Sequence, residues 1–306
     1  MTSPDLSVRV GSLALPNPVM TAAGTSGHGA ELAAYFDLSH LGAVVVKSLA
    51  SRPHAGNAAP RVVAVRGGML NSVGLQGPGV EAWLAEELPA LEESGARVVA
   101  SIWGRTVEDY EVAATALAGA PSCVVAVEVN VSCPNLHDAE RMFAHSAAAT
   151  KEVLAATARC GRPRWAKLSP NVPDLTEIAS AALDGGAEAL TLVNTLPAMA
   201  IDTVTRRPAL GGRGGGLSGA ALHAVAVRAV YDCRAAHPSA AIVGVGGVAS
   251  AADAIELILA GANAIQVGTA TLADPRAPVR VLAAVERWCR RVGVRTLADL
   301  VGAAHR

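Results

Sequence analysis

Val124-Val125-Ala126-Val127-Glu128-Val129-Asn130-Val131-Ser132-Cys133-Pro134-Asn135 decides how the 306-residue chain is read. Its first half, Val124 to Val129, is a short apolar run rich in β-branched residues, the pattern of a strand buried on both faces. The second half changes character. Asn130, Ser132, Cys133 and Asn135 crowd together, and Pro134, which has no N–H to give a ladder, ends the strand. Hydrogen-bonding side chains and a thiol at the mouth of a buried strand pack poorly, but they suit a planar polar molecule held beside a reactive sulfur.

Outward from this stretch the same alternation repeats. Apolar strands are expected at Pro18–Ala22, Gly42–Val46, Val98–Ile102, Trp165–Leu168, Ala189–Val193, Ala241–Val245 and Ala264–Val267. Helices are expected near Ala30–Asp37, Val80–Glu93, from a cap at Thr106, and over His145–Arg159, Leu175–Leu183, Ala251–Leu259 and Ala277–Arg291, with a long helix from about Ser218. Eight strand–helix alternations predict an α/β fold, a (β/α)8 TIM barrel. Residues 48–77 break the rhythm with prolines, glycines and a strand-like alternation at Arg61–Val65, a β-hairpin excursion after strand 2. The 211–216 stretch reads as a glycine-rich loop. No composition shift or linker divides the chain, so one domain over 1–306 is expected.

Composition narrows the function. Hydrophobic residues make up 51% and charged residues 17% of the chain, and the net charge is −1 without a block of like charges. Neither nucleic acid nor an anionic membrane is implied as a partner, and 3% aromatics offers little for base stacking. No apolar run has membrane-spanning length, and the N-terminus lacks a basic segment followed by an apolar one. The five cysteines lie far apart with no Cys-x-x-Cys pair, against a disulfide framework or a metal cluster. A reduced, cytoplasmic setting is expected.

Residues just past barrel strands form the face where chemistry is built. Here they are Gly24, Lys47, Ser101, Asn130 with Cys133, Lys167, Asn194 with Thr195, Gly246-Gly247, and Gly268-Thr269. The last two pairs, each before a helix, offer unobstructed backbone N–H groups to a phosphate. Lys47 and Lys167 end apolar runs, where an unpaired ammonium is costly, so each is expected to meet a ligand. A cation beside an electron-accepting ring stabilises the charge built up on reduction. Asn71, opening the Asn-Ser turn of the excursion, is either turn chemistry or a ligand contact. A thiol with an ordinary pKa of about 8.5 becomes a usable base after a modest shift. No histidine stands in a recognisable relation to Cys133, so a base is favoured over a nucleophile, with the latter still open.

These residues resemble dihydroorotate dehydrogenase of class 1, whose base is cysteine. The likeness runs from about residue 6 to 290 and is carried by Glu128–Asn135, the Asn71-Ser72-Val73-Gly74-Leu75 turn, Val46-Lys47-Ser48, Lys167, Val193-Asn194-Thr195, Gly216–Gly219, Gly246-Gly247, Gly268-Thr269, and Met199–Asp202 with Thr205–Pro208. Ala55–Asn57 with Pro60-Arg61, and Gly74–Gln76 with Pro78-Gly79, are similar to the NAD-linked subclass (1B), which works with a separate subunit carrying FAD and a [2Fe–2S] cluster.

The resemblance implies FMN bound through Ala23, Gly24, Lys47, Ser48, Asn130, Lys167, Val193, Gly219, Gly246, Gly247, Gly268 and Thr269. Dihydroorotate would meet Lys47, Asn71, Ser72, Val73, Gly74, Leu75, Asn130, Asn135, Asn194 and Thr195, with Cys133 as the base, and a homodimer is implied. The sequence departs from the family pattern at Ser101 and Gly77, each in place of a common asparagine, and after Asn135, where a glycine pair is usual. Beside oxidation of dihydroorotate in pyrimidine synthesis stand two alternatives: FMN chemistry on another dihydropyrimidine, and a flavin-free, phosphate-binding lyase or isomerase.

Overall fold

The computed structural model describes residues 3–132, 142–212 and 214–306. A hairpin, β1 (Val8–Val10) and β2 (Leu13–Leu15), comes first. The barrel strands follow in chain order: β3 (Val19–Thr21), β4 (Val44–Val45), and, after the excursion hairpin β5 (Val62–Val65) and β6 (Gly68–Asn71), β7 (Val98–Ile102), β8 (Val124–Asn130), β9 (Arg164–Leu168) and β10 (Ala189–Leu192). Three short strands come next, β11 (Leu196–Ala198), β12 (Ile201–Asp202) and β13 (Arg207–Pro208), then β14 (Gly215–Ser218) and the last two barrel strands, β15 (Ala241–Val245) and β16 (Ala264–Val267).

Eight of these strands form one parallel sheet in the order β3-β16-β15-β10-β9-β8-β7-β4. A parallel bridge between Met20 and Ala43, with Gly42 N–H donating to the Val19 carbonyl at 2.8 Å, joins the two ends into a ring. The strands are apolar on both faces because each has a side chain in the barrel and its neighbour under a helix. All five residues of β7 are buried, and so are six of the seven in β8.

The helical layer follows from local signals. Two short helices, α1 (Val80–Ala82) and α2 (Leu88–Glu93), flank a wider turn over Trp83–Glu87. Thr106 caps α3 (Val107–Ala116), its hydroxyl accepting from Asp109 N–H while the Asp109 carboxylate accepts from Thr106 N–H. Ser146 caps α4 (Ala147–Ala156) and Asp174 caps α5 (Leu175–Asp184). Then come α6 (His223–Ala236), α7 (Ala251–Ala260) with a Ser250/Asp253 capping box, the short α8 (Thr269–Ala273), and α9 (Ala277–Val292). In α9, Val281, Val285 and Cys289 repeat at four-residue spacing and are its buried stripe. No helix among the described residues is long and apolar enough to cross a membrane.

Three expectations are corrected. Residues 30–37 do not form an α-helix; 3-10 turns at Glu31–Ala34 and Leu38–His40 replace it, since Ala30 offers no side-chain cap and the stretch is too short to propagate. The glycine-rich 211–216 stretch runs into a strand, β14. The long helix therefore starts at His223, after a 3-10 turn at Ala220–Leu222, and not near Ser218. In addition, the excursion does not stand alone: β11-β14-β6-β5 is a four-stranded antiparallel sheet over the barrel mouth.

Candidate functional site

The C-terminal ends of the barrel strands carry a shelf of carboxamides. Asn130 closes β8 and is 6% exposed. Its Oδ1 accepts from Asn194 Nδ2 at 3.0 Å and from Ser132 N–H at 3.2 Å, while Tyr110 Oη donates to its carbonyl at 2.7 Å. Asn194 Oδ1 in turn accepts from Thr195 N–H at 2.8 Å. Asn71, at the end of β6, donates through Nδ2 to the Gly216 carbonyl at 3.3 Å. Gly216 must be glycine, because a Cβ there would stand 2.1 Å from Thr195 Oγ1. A cavity of about 360 Å³ opens here, lined by Ser132, Met142, Asn194, Thr195 and the 214–216 glycines among others. Cys133 and Asn135, the expected base and one expected substrate contact, lie outside the described residues.

The 72–75 turn is held from one side. Asn57 donates through Nδ2 to Ser72 Oγ at 2.9 Å and through its N–H to the Val73 carbonyl at 3.0 Å. Arg61 bonds the Asn57 and Ala55 carbonyls and the Gln76 side chain. Gly74 lies against Asn57, and Leu75 has φ 58°. Residues 55–61 thus act as a brace for the turn.

Lys47, past β4, is half-buried and has no carboxylate within salt-bridge distance among the described residues. Loss of water holds its pKa below the ordinary lysine value, and the Arg61 guanidinium lowers it further. His28, not singled out from the sequence, sits close by. Its Nε2 is buried without a partner among the described residues, and burial, then Lys47, lowers its pKa. A Cβ on Gly77 would lie 3.0 Å from that nitrogen, so the small residue at 77 leaves the space that His28 fills. Ser48 and Ser101 hydroxyls bond to each other at 2.8 Å, both buried.

Lys167, expected to meet a ligand, has partners inside the barrel. It is 5% exposed, and Nζ lies 3.4 Å from Glu128 Oε1 and 3.5 Å from Gln266 Oε1. Gln266 Nε2 donates to Glu128 Oε2 at 2.7 Å. Glu128 and Gln266 are fully buried, and nothing local in the sequence pairs them, since 138 positions separate the two.

On the opposite rim, the glycines converge. Gly246 and Gly247 follow β15 with φ 142° and 69°, and a Cβ on Gly247 would meet His223 Cβ at 2.6 Å and the Gly219 carbonyl at 3.0 Å. Gly219 is therefore brought against Gly247. His223 Nδ1 bonds the Gly246 carbonyl at 2.8 Å. Thr269 Oγ1 donates to Ser218 Oγ at 2.8 Å, and Gly268 packs near Ala22, next to Ala23-Gly24, with Gly24 facing open space. Val193 joins this rim by donating its N–H to the Val245 carbonyl at 2.9 Å.

The four described cysteines, Cys123, Cys160, Cys233 and Cys289, are free, and burial raises every thiol, Cys233 to about 12. No group of three or more His, Cys, Asp or Glu among the described residues is placed to hold a metal ion.

Fold and site together describe a (β/α)8 barrel that gathers polar groups at its C-terminal face, where such barrels build their chemistry. The sequence matches the dihydroorotate dehydrogenase family over residues 5–288. A dihydroorotate dehydrogenase B (NAD(+)) catalytic subunit from Geotalea daltonii is 44% identical over 304 residues, covering 99% of each chain. The protein of the same name from Desulforudis audaxviator is 47% identical over 301 residues, covering 98% of this chain and 97% of its own. The chain belongs to the dihydroorotate dehydrogenase family.

Proposed function

We propose that the chain oxidises dihydroorotate to orotate in pyrimidine biosynthesis, with FMN as its cofactor and Cys133 as its base. The observation that carries the substrate is Lys47. A half-buried cation with no carboxylate partner among the described residues, past a barrel strand as Asn130 and Asn194 are, is suited to a planar ring that bears a carboxylate. An uncharged dihydropyrimidine would leave that cation uncompensated.

Two features support FMN. Gly246, Gly247, Gly219, Gly268 and Thr269 form one rim whose backbone carries few side chains, as a phosphate requires. Lys167, a buried cation near the end of β9, is suited to stabilising the charge that a reduced ring would gain. We assign Ala23, Gly24, Ser48 and Val193 to the same site. Bound FMN supplies the hydride acceptor.

The protein's own part is proton transfer and orientation. Lys47 and the carboxamides orient the ring, and the braced turn 72–75 covers it. Cys133 takes the proton from the carbon next to the ring carbonyl; with FMN bound, the neighbouring carbon would give up its hydride, leaving a carbon–carbon double bond. Burial raises the four other thiols above the ordinary cysteine value, which suits them less to this role. The relatives are named as catalytic subunits, so we assign electron transfer to NAD to a second chain carrying FAD and a [2Fe–2S] cluster, in a cytoplasmic complex built on a homodimer. Reduction of NAD by dihydroorotate that appears only when such a chain is added supports this division; NAD reduction by the isolated chain contradicts it.

The reading is tested by substrate choice. Purified with FMN, the protein is expected to bleach anaerobically with dihydroorotate and to stay oxidised with dihydrouracil. The reverse pattern makes it an enzyme of another dihydropyrimidine, and a protein that takes up no FMN removes the redox reading altogether.

A further inference from the structure

We propose that Glu128 and Gln266 are positioning residues that hold the Lys167 ammonium toward the flavin site and set how much of its charge is felt there. The inference rests on the FMN reading above. Three buried side chains from β8, β9 and β16 form a closed triangle inside the barrel: Gln266 Nε2 to Glu128 Oε2 at 2.7 Å, Lys167 Nζ to Glu128 Oε1 at 3.4 Å, and Lys167 Nζ to Gln266 Oε1 at 3.5 Å.

Packing alone gives no reason for this triangle. A buried ion pair is commonly no more stabilising than apolar residues of the same volume, and the neighbouring positions on the same faces of the three strands are such residues: Ala126, Trp165 and Ala264. The distances are uneven in an informative way. The carboxamide grips the carboxylate tightly, while the ammonium stands at the outer edge of hydrogen-bond range from both oxygens. An ammonium has three protons to donate; these two contacts engage two of them, and loosely. Glu128 and Gln266 are 0% exposed and Lys167 is 5% exposed, and the register sets Lys167 beside Asn130, the last residue of β8, so of the three Lys167 is the one at the strand end. Among the three, Lys167 alone keeps any exposure.

The electrostatic consequence has a sign. With Glu128 beneath it, Lys167 acts on the mouth as a dipole, its charge partly cancelled 3.4 Å away. Without the carboxylate it would act as a full charge in a poorly screened site. A stronger positive field favours the reduced, more negative ring.

The test uses the full chain loaded with FMN, with the flavin midpoint potential read by equilibration against reference dyes and FMN affinity measured alongside. E128Q keeps the shape and removes the charge; the amide has one acceptor oxygen, so it keeps one of the carboxylate's two contacts and gives up the other. It is expected to favour reduced over oxidised FMN by about tenfold more than the wild type, a positive shift of about 30 mV for a two-electron couple. Q266M leaves both charges but frees the carboxylate to turn fully onto Lys167, and is expected to shift the potential in the negative direction. The E128Q/K167M double variant, which leaves no unpaired buried charge, is expected to lie below the wild type. Should E128Q alone fail to fold, the other two carry the test. Variants that bind FMN with the wild-type potential overturn the proposal. A wild-type chain that binds no FMN instead overturns the FMN reading on which it rests, and the two failures are told apart by flavin content.

Discussion

Lys47 and Cys133 divide the proposed work, one holding charge and the other moving a proton. C133A is expected to retain FMN and lose turnover by roughly 10² to 10⁴, the usual contribution of a general base. C133S, with a much weaker acid at the same place, is expected to be slow near neutral pH and to recover as pH rises, checked by steady-state rates across pH. For Lys47 the sign follows from its depressed pKa: the ammonium is present below that value and lost above it, earlier than for an ordinary lysine. Orotate binding, followed by flavin perturbation, is therefore expected to weaken as pH climbs into the alkaline range, and K47M is expected to bind weakly without that dependence. Lys47, Asn130 and Asn194 were legible in the sequence because each sits where an apolar run stops. Glu128, Gln266 and His28 were not. The first two lie inside apolar strands and meet only across the barrel, and His28 gains its meaning from the missing side chain at Gly77.

Elements position these residues, and two of them invite direct tests. The Gly246-Gly247 turn combines left-handed backbone at 247 with contact distances that leave no room for a Cβ. G247A is expected to raise the dissociation constant for FMN at least about tenfold, the effect of losing roughly 1.4 kcal/mol, and to lower the melting temperature; calorimetry with and without FMN reads both. Arg61 acts one step back, tying residues 55, 57 and 76 around the substrate turn. R61A is expected to raise KM for dihydroorotate with kcat changed far less, since the turn orients the ring and Cys133 does the chemistry. A fall in kcat with unchanged KM would place Arg61 elsewhere in the mechanism. The capped helix at Thr106 was predictable because its signal is local. The β14 strand was not, because a Gly-Gly-Leu-Ser sequence has no strand pattern and owes its conformation to β6, 145 positions away.

At the scale of the molecule, a ring of parallel strands gathers groups from Gly24 to Thr269 onto one rim. The barrel was readable because nearly every position of its strands is buried, so each strand appears as a mostly apolar run. The antiparallel sheet over the mouth and the N-terminal hairpin were harder to see, as their strands are short, half-exposed or rich in glycine. Reduction of the bound flavin by the substrate tests the whole arrangement at once. Anaerobic titration of the FMN-loaded chain with dihydroorotate, watched by flavin absorbance, is expected to bleach it stoichiometrically in the wild type and far more slowly in C133A. Equal bleaching rates in the two proteins, or a flavin that stays oxidised at saturating dihydroorotate, would contradict the account.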